Sequence, residues 1–175
     1  MFVRRITAED RAVMERLWLL FRHDLSEFQG QLPRPDGSYR SEWLENVLTG
    51  DPEWAGYLVF SGESPVGFCF LRALSQPARV LNAFFVVRPV RRQGLGLRAV
   101  LEVLAQHPGP CDVAFQDNNP KAVRFWQRVA TELSGDAWTS ERRPIAGRPE
   151  ATPDVWISFQ IPEFQNTTTE RSTSP

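Results

Sequence analysis

The sequence predicts an α/β fold of the α+β mixed-sheet kind, with about seven strands in one mostly antiparallel sheet and helices on its faces. Two observations predict it. Short runs rich in β-branched and aromatic residues alternate with segments whose apolar residues recur at i, i+3, i+4 and i+7. A helix between neighbouring strands demands a parallel crossover, whereas tight polar turns between other strands demand hairpins, so both pairings must occur in one sheet. The 175 residues suit one domain over 1–161. A tail over 162–175, polar and rich in Thr and Ser, has too few apolar side chains to fold.

Phe2–Ile6 reads as the first strand. Thr7-Ala8-Glu9-Asp10 fits a capping box, and Val13, Leu17, Leu20, Phe21 and Leu25 mark the buried face of the helix that follows, which ends near Arg22–Ser26. Phe28–Ser38, with Gly30, Pro33, Pro35 and Asp36-Gly37, reads as a loop. Arg40–Leu48 is a second helix burying Trp43, Leu44 and Val47, stopped by Thr49-Gly50-Asp51-Pro52. Ala55–Phe60 and Pro65–Leu74 flank Ser61-Gly62-Glu63-Ser64 as a hairpin, and Arg79–Val87 is a central strand. Leu97, Val100, Leu101 and Leu104 repeat with helical spacing until His107-Pro108-Gly109-Pro110 breaks the pattern, and Asp112–Gln116 returns as a strand. Asn119 as N-cap and Pro120 as first helical residue open a last helix with the stripe Ala122, Phe125, Trp126, Val129 and Leu133. Ala137–Arg143 and Val155–Ile161, joined by Gly147–Pro153, complete the strands.

Composition narrows the function classes. A net charge of −1 leaves no general basic surface, so a nucleic-acid partner is not expected. The N-terminus lacks a signal-peptide core and no apolar stretch approaches the roughly 18 residues a membrane span needs, which predicts a cytoplasmic protein with no membrane partner. Cys69 and Cys111 sit inside apolar runs and read as small buried hydrophobes. With His23 and His107 the only histidines, no metal site is expected.

The chemistry concentrates in Phe84–Arg98. An apolar strand runs into Arg91-Arg92-Gln93-Gly94-Leu95-Gly96, and a helix starts directly after. That order aims successive backbone N–H groups and the positive end of a helix dipole at one point, which suits a phosphate. Gly94 and Gly96 let a ligand approach the backbone, and Arg88, Arg91 and Arg92 add charge. No GKS or GKT follows, so this is not a Walker loop, and Ala99 stands where a dinucleotide fingerprint needs its third glycine.

The spacing Arg91-x-x-Gly94-x-Gly96 after an apolar strand instead resembles the pyrophosphate loop of the GNAT superfamily of acyl-CoA-dependent N-acyltransferases. Downstream, Asn119-Pro120-Lys121-Ala122-Val123-Arg124-Phe125-Trp126 resembles that family's N-x-x-A-x-x-F-Y helix. The element order over residues 2–161 is similar to the family's fold, and Phe21–Phe28 looks like a bacterial branch of predicted acetyltransferases within it. The resemblance implies acetyl-CoA as co-substrate and a sheet splayed between its fourth and fifth strands. It implies that Val86, Val87 and Arg88 present a main-chain edge to pantetheine. Arg91, Arg92, Gln93, Gly94, Leu95, Gly96 and Leu97 then hold the pyrophosphate, with Asn119 and Trp126 beside the cofactor. The implied acceptor is a primary amine of a small molecule, and a homodimer is among the implied assemblies.

The proton-transfer groups depart from the family pattern. Trp126 stands where many members carry a Tyr acid, and its indole N–H donates a hydrogen bond without being an acid. The central strand has no carboxylate; Asn82 is its polar side chain and would fix a water or the acceptor. Glu27 is placed to relay a proton through water, and Asp24, Asp36 and Tyr39 cluster where the family's acceptor binds, which would suit a cationic amine. A non-catalytic acyl-CoA-binding relative and a protein N-acetyltransferase both stay open.

Overall fold

In the computed structural model, which describes residues 1–145, 147, 150 and 152–163, seven strands form one sheet in the order β1-β2-β3-β4-β5-β7-β6. The strands are β1 (Phe2–Arg5), β2 (Trp54–Ser61), β3 (Ser64–Arg72), β4 (Arg79–Val86), β5 (Gly109–Phe115), β6 (Thr139–Arg143) and β7 (Asp154–Ile161). Every pair is antiparallel except β4–β5. The parallel pair is the one whose connection carries a helix, as crossover geometry requires. Residues 164–175, most of the expected tail, and parts of the Gly147–Pro153 link lie outside the described residues.

Helices α1 (Arg11–Gln29) and α2 (Glu42–Leu48) cover one face; α3 (Leu95–Leu104) and α4 (Pro120–Ser134) cover the other. On the first face Met14, Leu17, Trp18, Leu44, Val47 and Leu48 meet Leu58, Phe68, Phe70, Ala83 and Phe85. On the second, Val100, Val103, Leu104, Trp126, Val129 and Ala130 meet Tyr57, Cys69, Leu71, Leu81, Val113 and Ile157. Alternate residues of β3 therefore serve opposite cores, as the pleat dictates. Both cysteines are free and buried, and burial pushes the Cys111 thiol up to about 12.

Helix α1 differs from its sequence expectation in length and in face. Thr7 and Asp10 close a short 3-10 turn over Ala8–Asp10, in which the Asp10 carboxylate accepts the Thr7 N–H at 2.8 Å and pairs with Arg4 at 2.7 Å. The helix then runs on to Gly30, whose φ of 62° and N–H bond to the Ser26 carbonyl (2.9 Å) make it the stop. Its buried residues are Met14, Leu17, Trp18 and Arg22, while Leu20 is 49% exposed. Trp18 sets that orientation by stacking on Phe70 (5.9 Å between centroids) and donating its indole N–H to the Arg40 carbonyl at 2.8 Å. Trp43, expected in the core, is displaced to the rim by Trp18, against whose ring it packs edge-on.

His107, after α3, is half-buried and shares a 2.7 Å hydrogen bond with the Tyr57 hydroxyl. Burial, then the charges of Arg79 and Arg5, lower its pKa from 6.5 to about 4. The unfolded chain thus takes up a proton that the native state refuses. Stability is fully present above pH 6.5 and falls as pH drops from 6.5 towards 4. Asp10, held at about 2 chiefly by the Arg4 hydrogen bond, loses its contribution lower in the scale. Thermal melts across this range are expected to show the loss in the wild type and a flatter profile in His107→Gln, which keeps an acceptor for Tyr57 without the titration. Parallel profiles would contradict the assignment.

Candidate active site

Strands β4 and β5 pair only at Arg79↔Cys111, Val80↔Asp112 and Leu81↔Val113. Beyond that point β4 stays with β3 as far as Gly67↔Val86, and β5 stays with β7 as far as Phe115↔Val155, so the sheet opens between them. A bulge lies where the opening starts. Phe70 faces Ala83 and Leu71 faces Leu81, which leaves Asn82 as the extra residue on β4. The Asn82 Oδ1 accepts from Arg72 Nε at 2.8 Å, while its Nδ2 is buried with no partner among the described residues.

The open edge presents main-chain groups. The Val87 N–H donates to the Val66 carbonyl at 2.8 Å, so that residue points to β3. Alternation along the strand turns the Phe84 and Val86 amides towards the opening. The Val86 carbonyl accepts from Arg91 Nε at 2.6 Å, which leaves its N–H on the opened edge. Of the expected Val86, Val87 and Arg88 edge, the structure places Val86 at the opening, turns the Val87 amide away, and puts Arg88 in a 3-10 turn over Arg88–Val90. Phe84 is the residue that sequence reasoning missed. Its ring stacks on Phe125 (5.5 Å, 6°) and meets Trp126 at 70°.

After the 3-10 turn the chain reverses through two left-handed residues, Arg92 (φ 65°) and Gly94 (φ 74°), and enters α3 at Leu95. Arg92 pays the steric penalty of that conformation, a strain seen most often at functional turns. The N–H groups of Arg92, Gln93, Gly94, Leu95, Gly96 and Leu97 have no acceptor among the described residues. They lie in and just before the first turn of α3, its positive end. A Cβ at Gly94 meets no heavy atom within 4 Å, and one at Gly96 meets only Phe84 and Phe125 at ordinary contact distance, 3.7 and 3.8 Å. Neither glycine is closed off by the protein's own atoms.

Two of the three loop arginines are tied to helix α1. Asp24 accepts two hydrogen bonds from Arg88, at 2.6 and 3.1 Å, and a third from Arg91. Burial raises the Asp24 pKa, but these two guanidiniums outweigh it and hold the carboxyl below its usual range. Asp24, expected as a free carboxylate for the acceptor, therefore fixes α1 to the loop, while Arg92 has no ion pair among the described residues. From the other side, Asn119 caps α4 by accepting the Ala122 N–H at 3.1 Å, and Trp126 is 7% exposed against Phe84 and Phe125.

The end of α1 reaches across the opening, where Asn118 after β5 donates to the Phe28 carbonyl at 3.1 Å. Beside that bridge lies a cleft of about 380 Å³ walled by Gln29, Gln31, Gln116, Asp117, Asn118 and Thr152. Asp117, the one carboxylate among its described walls, pairs with Arg142 at 2.5 Å. Glu27 is exposed on the last turns of α1, and Asp36 is exposed with its carboxylate accepting the Ser38 N–H at 2.9 Å. Tyr39 lines a separate cleft of about 280 Å³ with Trp18 and Glu15. The expected acidic cluster is thus dispersed: its members face different partners. Among the described residues no group of three or more His, Cys, Asp or Glu is set to hold a metal, and no helix is long and apolar enough to cross a membrane.

Among known proteins, the model of the acetyltransferase (GNAT) family matches residues 14–130. No curated protein matches the chain. An acetyltransferase from Thermus thermophilus superposes with a TM-score of 0.63 at 18% identity, covering 92% of this chain and 98% of that one. Spermidine N-acetyltransferase from Vibrio cholerae, solved with CoA and spermine, gives 0.62 at 11% identity over 91% of this chain and 94% of its own. RimL, a ribosomal L7/L12 alpha-N-protein acetyltransferase solved with coenzyme A, gives 0.64 at 12% identity over 91% and 93%. At these identities the likeness is one of fold.

Proposed function

Because this chain belongs to the acetyltransferase (GNAT) family, and so to the acyltransferases, we propose that it moves an acetyl group from acetyl-CoA to the primary amine of a small molecule by direct attack. The observation that carries this reading is the opened edge of β4 leading into consecutive N–H groups, Arg92 to Leu97, with no acceptor among the described residues. Those amides and the positive end of α3 hold the diphosphate of the carrier. The Val86 and Phe84 amides align pantetheine and polarise the thioester carbonyl, where negative charge develops. Arg88 and Arg91, clasped by Asp24, border the phosphates, and Asn119 and Trp126 close the thiol side from α4.

In the reaction the amine nitrogen attacks the carbonyl carbon, the C–N bond forms and the C–S bond breaks. CoA leaves as a thiolate and the ammonium proton passes to water. A thiol pKa near ~8.5 makes that thiolate a tolerable leaving group without a Tyr acid, which suits Trp126 at this position. Asn82, whose buried Nδ2 has no partner among the described residues, positions the acceptor or a water, and Glu27 relays the proton to solvent. A cleft of about 380 Å³ matches a small molecule in size, which favours that acceptor class over a peptide.

Calorimetry with CoA and a thiol-release assay over a panel of primary amines test this together. CoA binding with release above the uncatalysed rate is expected. The missing Tyr and the carboxylate-free β4 favour, as a second reading, a non-catalytic CoA binder; binding without release from any amine would establish it in place of the enzyme.

A further inference from the structure

The face of the sheet under α1 and α2 carries two arginines with no ion pair, and buried hydrogen-bond donors with no acceptor, among the described residues. Arg22 is 7% exposed, and its Nε is buried with no partner among the described residues. Its guanidinium donates to the Gln31 amide oxygen and lies between the rings of Trp18, at 5.9 Å, and Tyr39, at 5.8 Å. Among the described residues no carboxylate lies within ion-pair distance of it. Burial lowers its pKa, and Arg40 adds repulsion that Glu42 and Tyr39 only oppose. Arg72, half-buried on the same face of β3 as Phe68 and Phe70, likewise has a neutral partner, the Asn82 oxygen, and the Asn82 Nδ2 is itself without one among the described residues. Arginines are almost never fully buried without a counter-charge, because ring faces and a neutral amide recover only part of the lost hydration.

Arg22 is linked to the cleft of about 380 Å³ through Gln31, while its ring partners Trp18 and Tyr39 line the second cleft. Gln31, which takes its hydrogen bond, is a wall of the first cleft, and Gln29, seven residues on and so on the same side of α1, is another. Among the described residues the remaining polar walls are Gln116, Asn118, Thr152 and the already paired Asp117, so a polycation meets no free carboxylate among them.

We propose that the acceptor is an amine carrying a carboxylate, of the amino acid class, and that Arg22 takes this carboxylate in place of the Gln31 amide oxygen. The exchange converts a neutral hydrogen bond into a charge-assisted one, with both oxygens open to the guanidinium fork, and gives the buried cation its counter-charge. It leaves the amine towards the opening between β4 and β5. This assignment rests on the acetyltransferase reading above and names its substrate class.

The test compares thiol release from acetyl-CoA with matched acceptors: standard L-amino acids, the carboxamides of the same amino acids, and spermidine. At least one amino acid is expected to exceed its carboxamide in kcat/KM by about tenfold or more. In Gln31→Glu the new carboxylate occupies Arg22 in place of the substrate. The amino-acid preference is expected to collapse through a raised KM, with a melting temperature no lower than that of the wild type. A merely structural Arg22 would leave the ratio of amino acid to carboxamide unmoved in this variant, and that result overturns the proposal. So does turnover of carboxamides or spermidine as good as that of every amino acid. CoA binding with no release from any acceptor overturns the transferase reading itself, and this inference with it.

Discussion

Gly94→Glu is expected to lose CoA affinity by at least about 100-fold while keeping the fold, because like charge set beside a bound group costs several kcal/mol. Gly94 sits at φ 74°, where a side chain costs about 1–2 kcal/mol, and its Cβ direction meets no protein atom within 4 Å. The native structure thus tolerates the residue, and what suffers is whatever approaches the loop. A carboxylate there accepts from the N–H groups between Arg92 and Leu97 and repels a diphosphate. Gly94→Ala, which introduces the strain without the charge, separates the two effects and should keep most of the affinity. Titration calorimetry of the three proteins, with melting curves alongside, decides the matter; equal CoA affinity in Gly94→Glu would remove the loop from the site.

Gly67→Ala should be the most damaging single methyl group in the sheet. A Cβ at Gly67 falls 2.1 Å from the Phe85 carbonyl oxygen and 3.1 Å from the Val86 Cα, both rigid backbone. The β3–β4 ladder must separate there, at the pair Gly67↔Val86 and beside the Val87–Val66 hydrogen bond. Loss of about 2–4 kcal/mol is expected from such overpacking of backbone, seen as a fall in melting temperature of roughly 5–15 °C. The same shift moves the Val86 amide, so CoA affinity should fall as well. An unchanged melting temperature would mean that β3 and β4 do not approach as described.

How legible each part was follows from the range of the interactions that make it. The hairpin at Gly62-Glu63, the Asn119-Pro120 start of α4 and the glycine turn into α3 are set by neighbours a few residues apart, and each lies where its local chemistry put it. The clasp of Asp24 on Arg88 joins residues 64 positions apart, so nothing local distinguished that carboxylate from a free one. The role of Phe84 is invisible in the sequence for another reason: it depends on which way alternate amides point, and Val87 bonding to Val66 decides that. Arg22 misled in a third way. It lay outside the expected apolar stripe of Val13, Leu17, Leu20, Phe21 and Leu25, yet Trp18 turned the helix so that Arg22 is buried and Leu20 is exposed. Asn82, expected as a strand residue, became a bulge because β3 and β4 slip by one residue between Phe70 and Leu71.

The most direct measurement follows each backbone amide of isotope-labelled protein by nuclear magnetic resonance while CoA is added. Six successive N–H groups that lack an acceptor among the described residues, Arg92 to Leu97, should show the largest and earliest shifts, with Val86 beside them. Saturable CoA binding that leaves those resonances where they began would contradict the diphosphate cradle and the enzyme built upon it.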